Sequence, residues 1–287
     1  MSQIITDYNK NGYAILRNIV PPPRIDALLE NIYKLYRKYS TDYELDESED
    51  PWKSEMFHKK LIEFRKKDPK LFGAIYDSLK TSLTLTQLVS DDVIVDNVAK
   101  FLCVESSDVS ISEPMCRLDV PNDKRNALEW HQERSFFPQN RDGLHSLVCW
   151  IPLTNVTEKM GAIHISPESH AGGLITPAQN EKRSELSTRQ ISVPEEHVKK
   201  YEDLVVSVDA GDVVFFNMLL YHRSGINISD KVRFAVQSRF HTATADDFIP
   251  FELVNYYNPD IKQKLIEKNY DCSDIPNNTR QPPVARK

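Results

Sequence analysis

The sequence predicts a mainly β chain with a helical N-terminal portion: a double-stranded β-helix (jelly roll, cupin-like) core flanked by helices. Two observations carry this. From Val109 to Thr242, short runs rich in Val, Ile, Phe and Tyr succeed one another, divided by Gly, Pro, Asn and Asp, with little helical patterning between them. Before Val109 the apolar residues recur at helical spacing instead. No internal repeat divides the chain, and 287 residues suffice for one large domain. The expected organisation is a single domain: 1–105 mostly helical, 106–245 the jelly-roll core with an insertion at 171–202, and 246–287 a C-terminal helix and flexible tail.

Taken in order, Gly12 to Val20 reads as a short strand that Pro21-Pro22-Pro23 stops. The prolines launch a helix whose buried stripe is Ile25, Leu28, Leu29, Ile32, Leu35 and Tyr36. Thr41 to Pro51 is acidic and loop-like. Further helices are expected over Glu55–Lys67, Pro69–Val89 and Asp91–Leu102, with Pro69 as an early helical residue. Strands are expected over Val109–Val120, Leu128–Glu133, Leu144–Leu153, Gly161–Ser166, Leu204–Val208, Asp212–Asn217, Leu220–Ser224 and Val232–Thr242. Ala171 to Glu202 is charged and weakly patterned, an insertion or lid, and Asn277 to Lys287 is a polar tail.

Composition narrows the function. The chain carries 36 Lys+Arg against 42 Asp+Glu, so no excess of positive charge exists to neutralise a phosphate backbone. Met1 to Lys10 lacks the apolar core of a signal peptide, and no apolar run reaches the about eighteen residues a membrane span needs. The four cysteines (Cys103, Cys116, Cys149, Cys272) form no CxxC pair, which argues against a disulfide framework or a cysteine zinc site. A cytoplasmic protein acting on a small molecule, without nucleic-acid or membrane partners, fits best.

The chemistry lies in Trp130-His131-Gln132-Glu133. On a strand, residues two apart share a face, so His131 and Glu133 present an imidazole and a carboxylate side by side. With a histidine from elsewhere they complete the two-His-one-carboxylate set of non-haem iron(II) oxygenases. His222 is the best donor. Alone, a histidine and a glutamate two apart also occur as a solvated pair. The residues after His222 sharpen the case. Leu220–Ser224, the turn-rich 225–230 stretch and Val232–Phe240 read as a hairpin that sets His222 opposite Arg233 and Ser224 opposite Lys231. His222, Ser224 and Arg233 then line one surface, suited to a five-carbon keto-diacid. Its keto-acid end chelates the metal, and its far carboxylate meets the guanidinium, with Ser224 as a second donor. An arginine on an edge strand needs no ligand; the spacing from His222 favours one.

Over roughly Tyr8 to Thr242 the sequence resembles the phytanoyl-CoA dioxygenase family of iron(II)/2-oxoglutarate oxygenases. The resemblance runs through Tyr13-Ala-Ile-Leu-Arg-Asn-Ile-Val-Pro-Pro, Trp130-His-Gln-Glu133, Val148-Cys-Trp-Ile-Pro-Leu153, Gly161-Ala-Ile-His-Ile-Ser-Pro-Glu-Ser-His170 and Gly211-Asp-Val-Val-Phe-Phe216, then His222, Ser224, Asn227 and Arg233. It implies that His131, Glu133 and His222 hold Fe(II), and that Gln132, Trp150, Ser224 and Arg233 contact 2-oxoglutarate. The implied reaction is hydroxylation of a small-molecule C–H bond with O2, releasing succinate and CO2. One departure stands out: the family's usual carboxylate is Asp, whereas this chain has Glu133. Retention of a carboxylate argues against the halogenase relatives.

On the strand carrying Arg233, residues Arg233, Ala235, Gln237, Arg239 and His241 share one face, and Phe234, Val236 and Phe240 the other. The apolar side is expected against helices and the polar side toward the cavity, where Arg239, Gln237 and Arg117 meet a polar or anionic substrate. Phe136 and Phe137 suit an apolar wall or the core. His164 and His170 are read as loop-structuring, His145 as a strand start, His58 and His197 as surface residues, and Cys116 and Cys149 as small buried ones. Two rival functions share the scaffold: a non-catalytic or altered-metal binding protein, marked by Glu133, and a metal-dependent cupin-type isomerase or hydrolase with no use for Arg233.

Overall fold

The protein, in a computed structural model, is described over residues 3–40, 48–123, 127–137, 139–140, 145–176, 178–179 and 191–249. Helix α1 (Gln3–Asn11) precedes β1 (Tyr13–Leu16). The sequence pattern does not reveal α1, which buries only Tyr8 and so shows no stripe. Helix α2 (Pro22–Tyr39) starts on prolines whose missing N–H groups would lack intrahelical partners anyway, and it buries Ile25, Leu28, Leu29, Ile32 and Tyr36. Helix α3 (Glu55–Lys67) starts from Ser54, whose hydroxyl accepts the Phe57 N–H at 3.1 Å. Asp68 caps α4 (Pro69–Leu79) in the same way through the Leu71 N–H at 2.9 Å.

The single helix expected over 69–89 is two. The Ser82 N–H turns back to the Leu79 carbonyl at 3.0 Å and its hydroxyl bonds Thr84, so the chain restarts as α5 (Leu83–Val89). Helix α6 (Asp92–Leu102) completes the helical portion.

The strands are β2 (Val109–Asp119), β3 (Ser146–Pro152), β4 (Ile163–Ile165), β5 (Ala178–Gln179), β6 (Ile191–Ser192), β7 (Leu204–Val206), β8 (Val213–Asn217), β9 (His222–Arg223) and β10 (Arg233–Thr242), with the short helix α7 (Glu195–Val198) before β7. An antiparallel five-stranded sheet runs β1-β8-β3-β10-β2, a three-stranded sheet runs β7-β4-β9, and β5 pairs with β6. Alternation along the larger sheet separates two cores. Leu147, Cys149, Ile151, Phe234, Val236 and Phe240 face the helices. Val148, Trp150, Val214, Phe216 and Ala235 face the smaller sheet, across from Ile163, Ile165 and Val206. The two faces of β10 are therefore divided as its pattern predicts.

Two expectations about the strands are corrected. The strand over 128–133 shrinks to one β-bridge at His131, because Glu133–Ser135 winds into a 3-10 turn. The hairpin placing His222 opposite Arg233 does not form: β9 pairs with β4, and β10 pairs with β2 and β3. The intervening loop crosses between sheets instead. The Asn227 side-chain amide donates to the carbonyls of Asp119 and Lys231, and the Ile228 N–H reaches Lys159. Gly161 and Gly225 permit the crossing, since a Cβ on Gly225 would lie 2.3 Å from the Ala162 carbonyl.

His58, read as a surface residue, is buried. Its Nδ1 accepts the Val232 N–H at 3.0 Å, just before β10, and its ring lies against Phe234. Among the described residues no helix is long and apolar enough to cross a membrane. The C-terminal helix and tail expected within 246–287 lie outside the described residues after position 249, as does the middle of the 171–202 insertion.

Candidate metal centre

Backbone pairing brings His131 and His222 together at the β9 edge of the smaller sheet. Each N–H donates to the other's carbonyl, at 2.9 and 3.1 Å, so the residues form an antiparallel bridge with their imidazoles 4.1 Å apart on one face. Gln132 keeps the chain extended for one more residue, which returns Glu133 to that face before the 3-10 turn begins. His131, Glu133 and His222 each offer a ligand atom, and these atoms lie within 4.8 Å of one another. All three residues are buried, with Phe136 and Phe216 packed on the imidazoles.

Hydrogen bonding fixes what the imidazoles can do. His131 Nδ1 lies 2.7 Å from the Glu129 carbonyl, and His222 Nδ1 lies 2.9 Å from the Leu220 carbonyl. A carbonyl only accepts, so each Nδ1 carries the proton and each Nε2 presents a lone pair. Those Nε2 atoms face Glu133 Oε2 at 3.4 and 3.1 Å. Three acceptors thus converge without a donor among them, and a cation resolves their repulsion.

Charge reinforces this. Burial pushes the Glu133 carboxyl up, but the Arg239 guanidinium beside it outweighs burial and holds it well below the usual carboxylate range. Burial and the neighbouring His131 press the His222 imidazole toward neutrality, against the pull of Glu133. An ionised carboxylate and two neutral imidazoles are the ligand forms a divalent transition metal takes.

Arg233, at the start of β10, sits opposite Asp119 at the end of β2 and donates from Nη2 to Asp119 Oδ2 at 2.6 Å. Arg117 shares the same carboxylate at 3.2 Å. Burial raises the Asp119 carboxyl, yet the two arginines prevail and lower it. The Nε and Nη1 groups of Arg233 are buried and meet no acceptor. A buried Nη1 group without a partner, at the end of the guanidinium, matches a carboxylate oxygen on a bound molecule.

The remaining site residues divide. Trp150 and Gln237 pair across β3 and β10 on the face toward the smaller sheet, and Arg117, opposite Ala235, shares it. The Gln132 amide is engaged by backbone: it donates to Gly173 and Leu219 carbonyls and accepts the Ile175 N–H, each at 2.8 Å. It anchors the start of the 171–202 segment. Ser224 continues from β9, its N–H on the Leu128 carbonyl at 3.0 Å. Arg239, expected toward substrate, is buried on Glu133 Oε1, with Nε at 2.7 Å, and lies over the Phe137 ring. Sequence reasoning missed Asp119; only the β2–β10 register, which no local pattern encodes, sets it beside Arg233.

A model of the phytanoyl-CoA dioxygenase family matches residues 8–235. The peroxisomal phytanoyl-CoA dioxygenase of Homo sapiens is 23% identical over 247 residues, covering 82% of this chain and 67% of that one. Among solved structures, the epimerase SnoN in complex with Fe3+, alpha ketoglutarate and nogalamycin RO superposes with a TM-score of 0.59 at 16% identity, over 86% of this chain and 85% of that one. The alpha ketoglutarate dependent carbocyclase SnoK superposes with a TM-score of 0.52 at 19% identity, over 85% of each chain. At these identities the superpositions establish a shared fold.

Proposed function

The chain belongs to the phytanoyl-CoA dioxygenase family, and on that premise we propose that it is an iron(II)- and 2-oxoglutarate-dependent dioxygenase that hydroxylates a small molecule at a C–H bond. The single observation supporting this most is a pairing: three buried acceptor atoms converge from His131, Glu133 and His222, and the same interior holds two unmet donors of Arg233. A metal alone would explain the first and leave the second unexplained.

Bound iron(II) and 2-oxoglutarate supply oxidative power from O2, with the co-substrate leaving as succinate and CO2. The chain contributes the rest. His131 Nε2, His222 Nε2 and Glu133 Oε2 would hold the metal. Arg233 would meet the distal carboxylate of 2-oxoglutarate through its unpartnered Nη1, while Asp119 holds the guanidinium at Nη2. Trp150, Val148 and Phe216, packed on the same face of the sheet, would keep water from these charged contacts. Gln237 and Arg117 share that sheet face, which supports a polar or anionic substrate. Gln132 pins the chain at Gly173 and Ile175 beside the site.

The test is turnover. Metabolite fractions incubated with the iron(II)-loaded enzyme and 2-oxoglutarate should include one that stimulates succinate release and gains one oxygen atom by mass. Stimulated succinate release with a product that gains no oxygen would keep the dioxygenase and replace hydroxylation by an outcome such as the epimerisation named for SnoN. No succinate from any fraction, nor from prolonged incubation without substrate, contradicts the proposal.

A further inference from the structure

We infer that Arg239 is a positioning residue for the metal carboxylate: it occupies Glu133 Oε1 so that Glu133 ligates through Oε2 alone. The inference rests on the proposed metal centre and concerns how an unusually long acid is made to serve there.

A glutamate has one more rotatable bond than an aspartate. Unrestrained, its carboxylate can swing off a metal or grip it with both oxygens, and the second mode consumes a position that O2 or 2-oxoglutarate needs. Here the two oxygens have different partners. Oε1 takes Arg239 Nε at 2.7 Å and also meets Arg239 Nη2, whereas Oε2 is turned to His222 Nε2 at 3.1 Å and His131 Nε2 at 3.4 Å. Two donors on one oxygen fix the plane of the carboxylate.

Arg239 is itself held. Its strand position is set by pairing with Ser112 on one side and Val148 on the other, and its guanidinium lies 4.1 Å from the Phe137 ring centroid. Phe137 belongs to the turn that begins at Glu133, its N–H donating to the Glu133 carbonyl at 3.1 Å. One turn therefore supplies both the carboxylate and the ring that backs its clamp. The arginine side chain is 3% exposed, so water does not compete for Oε1.

Cobalt(II), a substitute for iron(II) with a coordination-sensitive visible spectrum, reads this without turnover. The wild-type protein should bind one cobalt(II), with a spectrum lost in His222→Ala. Arg239→Gln should weaken cobalt(II) binding by about 10- to 100-fold, the usual effect of removing a group that orients a ligand, and should shift the spectrum; Arg239→Lys should recover part of both. Wild-type binding with Arg239→Gln unchanged in affinity and spectrum overturns the clamp and leaves the metal centre standing. Failure of the wild-type protein to bind cobalt(II) or iron(II) overturns both. If Arg239→Gln does not fold, a crystal structure of the cobalt(II) wild type decides: metal on Oε2 with Arg239 on Oε1 supports the clamp, and a doubly bound carboxylate or a displaced arginine refutes it.

Discussion

Each ligand histidine is set by the carbonyl two residues before it, Glu129 for His131 and Leu220 for His222. The same short bond, made twice on two paired backbone segments, chooses the tautomer and aims both Nε2 atoms at one point. Arg233 is prepared by the same logic, its Nη2 spent on Asp119 and its Nε and Nη1 unmet. Arg233→Ala should weaken 2-oxoglutarate binding by about 10- to 100-fold, the worth of a charge-assisted pair, with metal binding retained in a calorimetric titration. Asp119→Asn should move the same constant in the same direction by a smaller factor, because the guanidinium stays but loses its anchor. Equal co-substrate affinity in both variants and the wild type would remove Arg233 from the site. His131, Glu133 and His222 are legible as ligand candidates because strand alternation and family spacing both point to them. Asp119 and the Glu133–Arg239 pair are not, since each joins residues from separate elements whose register depends on the whole sheet.

At the scale of elements, β10 carries most of the design. Its alternation is readable and correct: apolar residues pack on the helices, and Arg233, Gln237 and Arg239 turn toward the smaller sheet. The pattern could not give its partner. A turn-rich stretch between two strand-like runs looks like a hairpin from either end, yet Asn227 and the two glycines carry the chain across the sandwich. Gly225→Ala should therefore cost about 1–3 kcal/mol in chemical denaturation, the usual range for forcing extra atoms into packed structure, because its new Cβ meets the Ala162 carbonyl and Gly161 backbone rather than a movable side chain. A variant as stable as the wild type would mean that the crossing has room to relax around the added methyl. Helix boundaries divide in the same way. Caps at Ser54, Asp68 and Asp91 are written locally, whereas the break at Ser82 competes with a continuous apolar pattern and is overrun by it.

The whole molecule is a sheet with two cores, one against the helices and one against the smaller sheet, and buried imidazoles sit in it far from water. His58 joins α3 to the start of β10, and burial, helped by Lys231 and opposed by Asp230 and Glu55, lowers its pKa to about 4. His241 lies buried between Ser112 and Asn140, and burial with the nearby Arg239 lowers it to about 3. Both folded values lie below the about 6.5 of an unfolded histidine, so their contribution is complete above that pH and is lost as pH falls toward the folded values. The apoprotein should lose on the order of 3 kcal/mol by pH 4 through His58 alone, and His58→Asn, which preserves an acceptor for Val232, should flatten the slope of stability between pH 6.5 and 4. An unchanged slope would show that His58 does not stay neutral in the fold.

One buried site that takes both a ferrous ion and a keto-acid is open to anaerobic titration. Iron(II) with 2-oxoglutarate should produce a visible charge-transfer band that saturates at one equivalent of each, disappears in His222→Ala, and in Arg233→Ala forms only at much higher 2-oxoglutarate. A protein that binds iron(II) but gives no band with 2-oxoglutarate at any concentration, or a band indifferent to His222, would contradict the account.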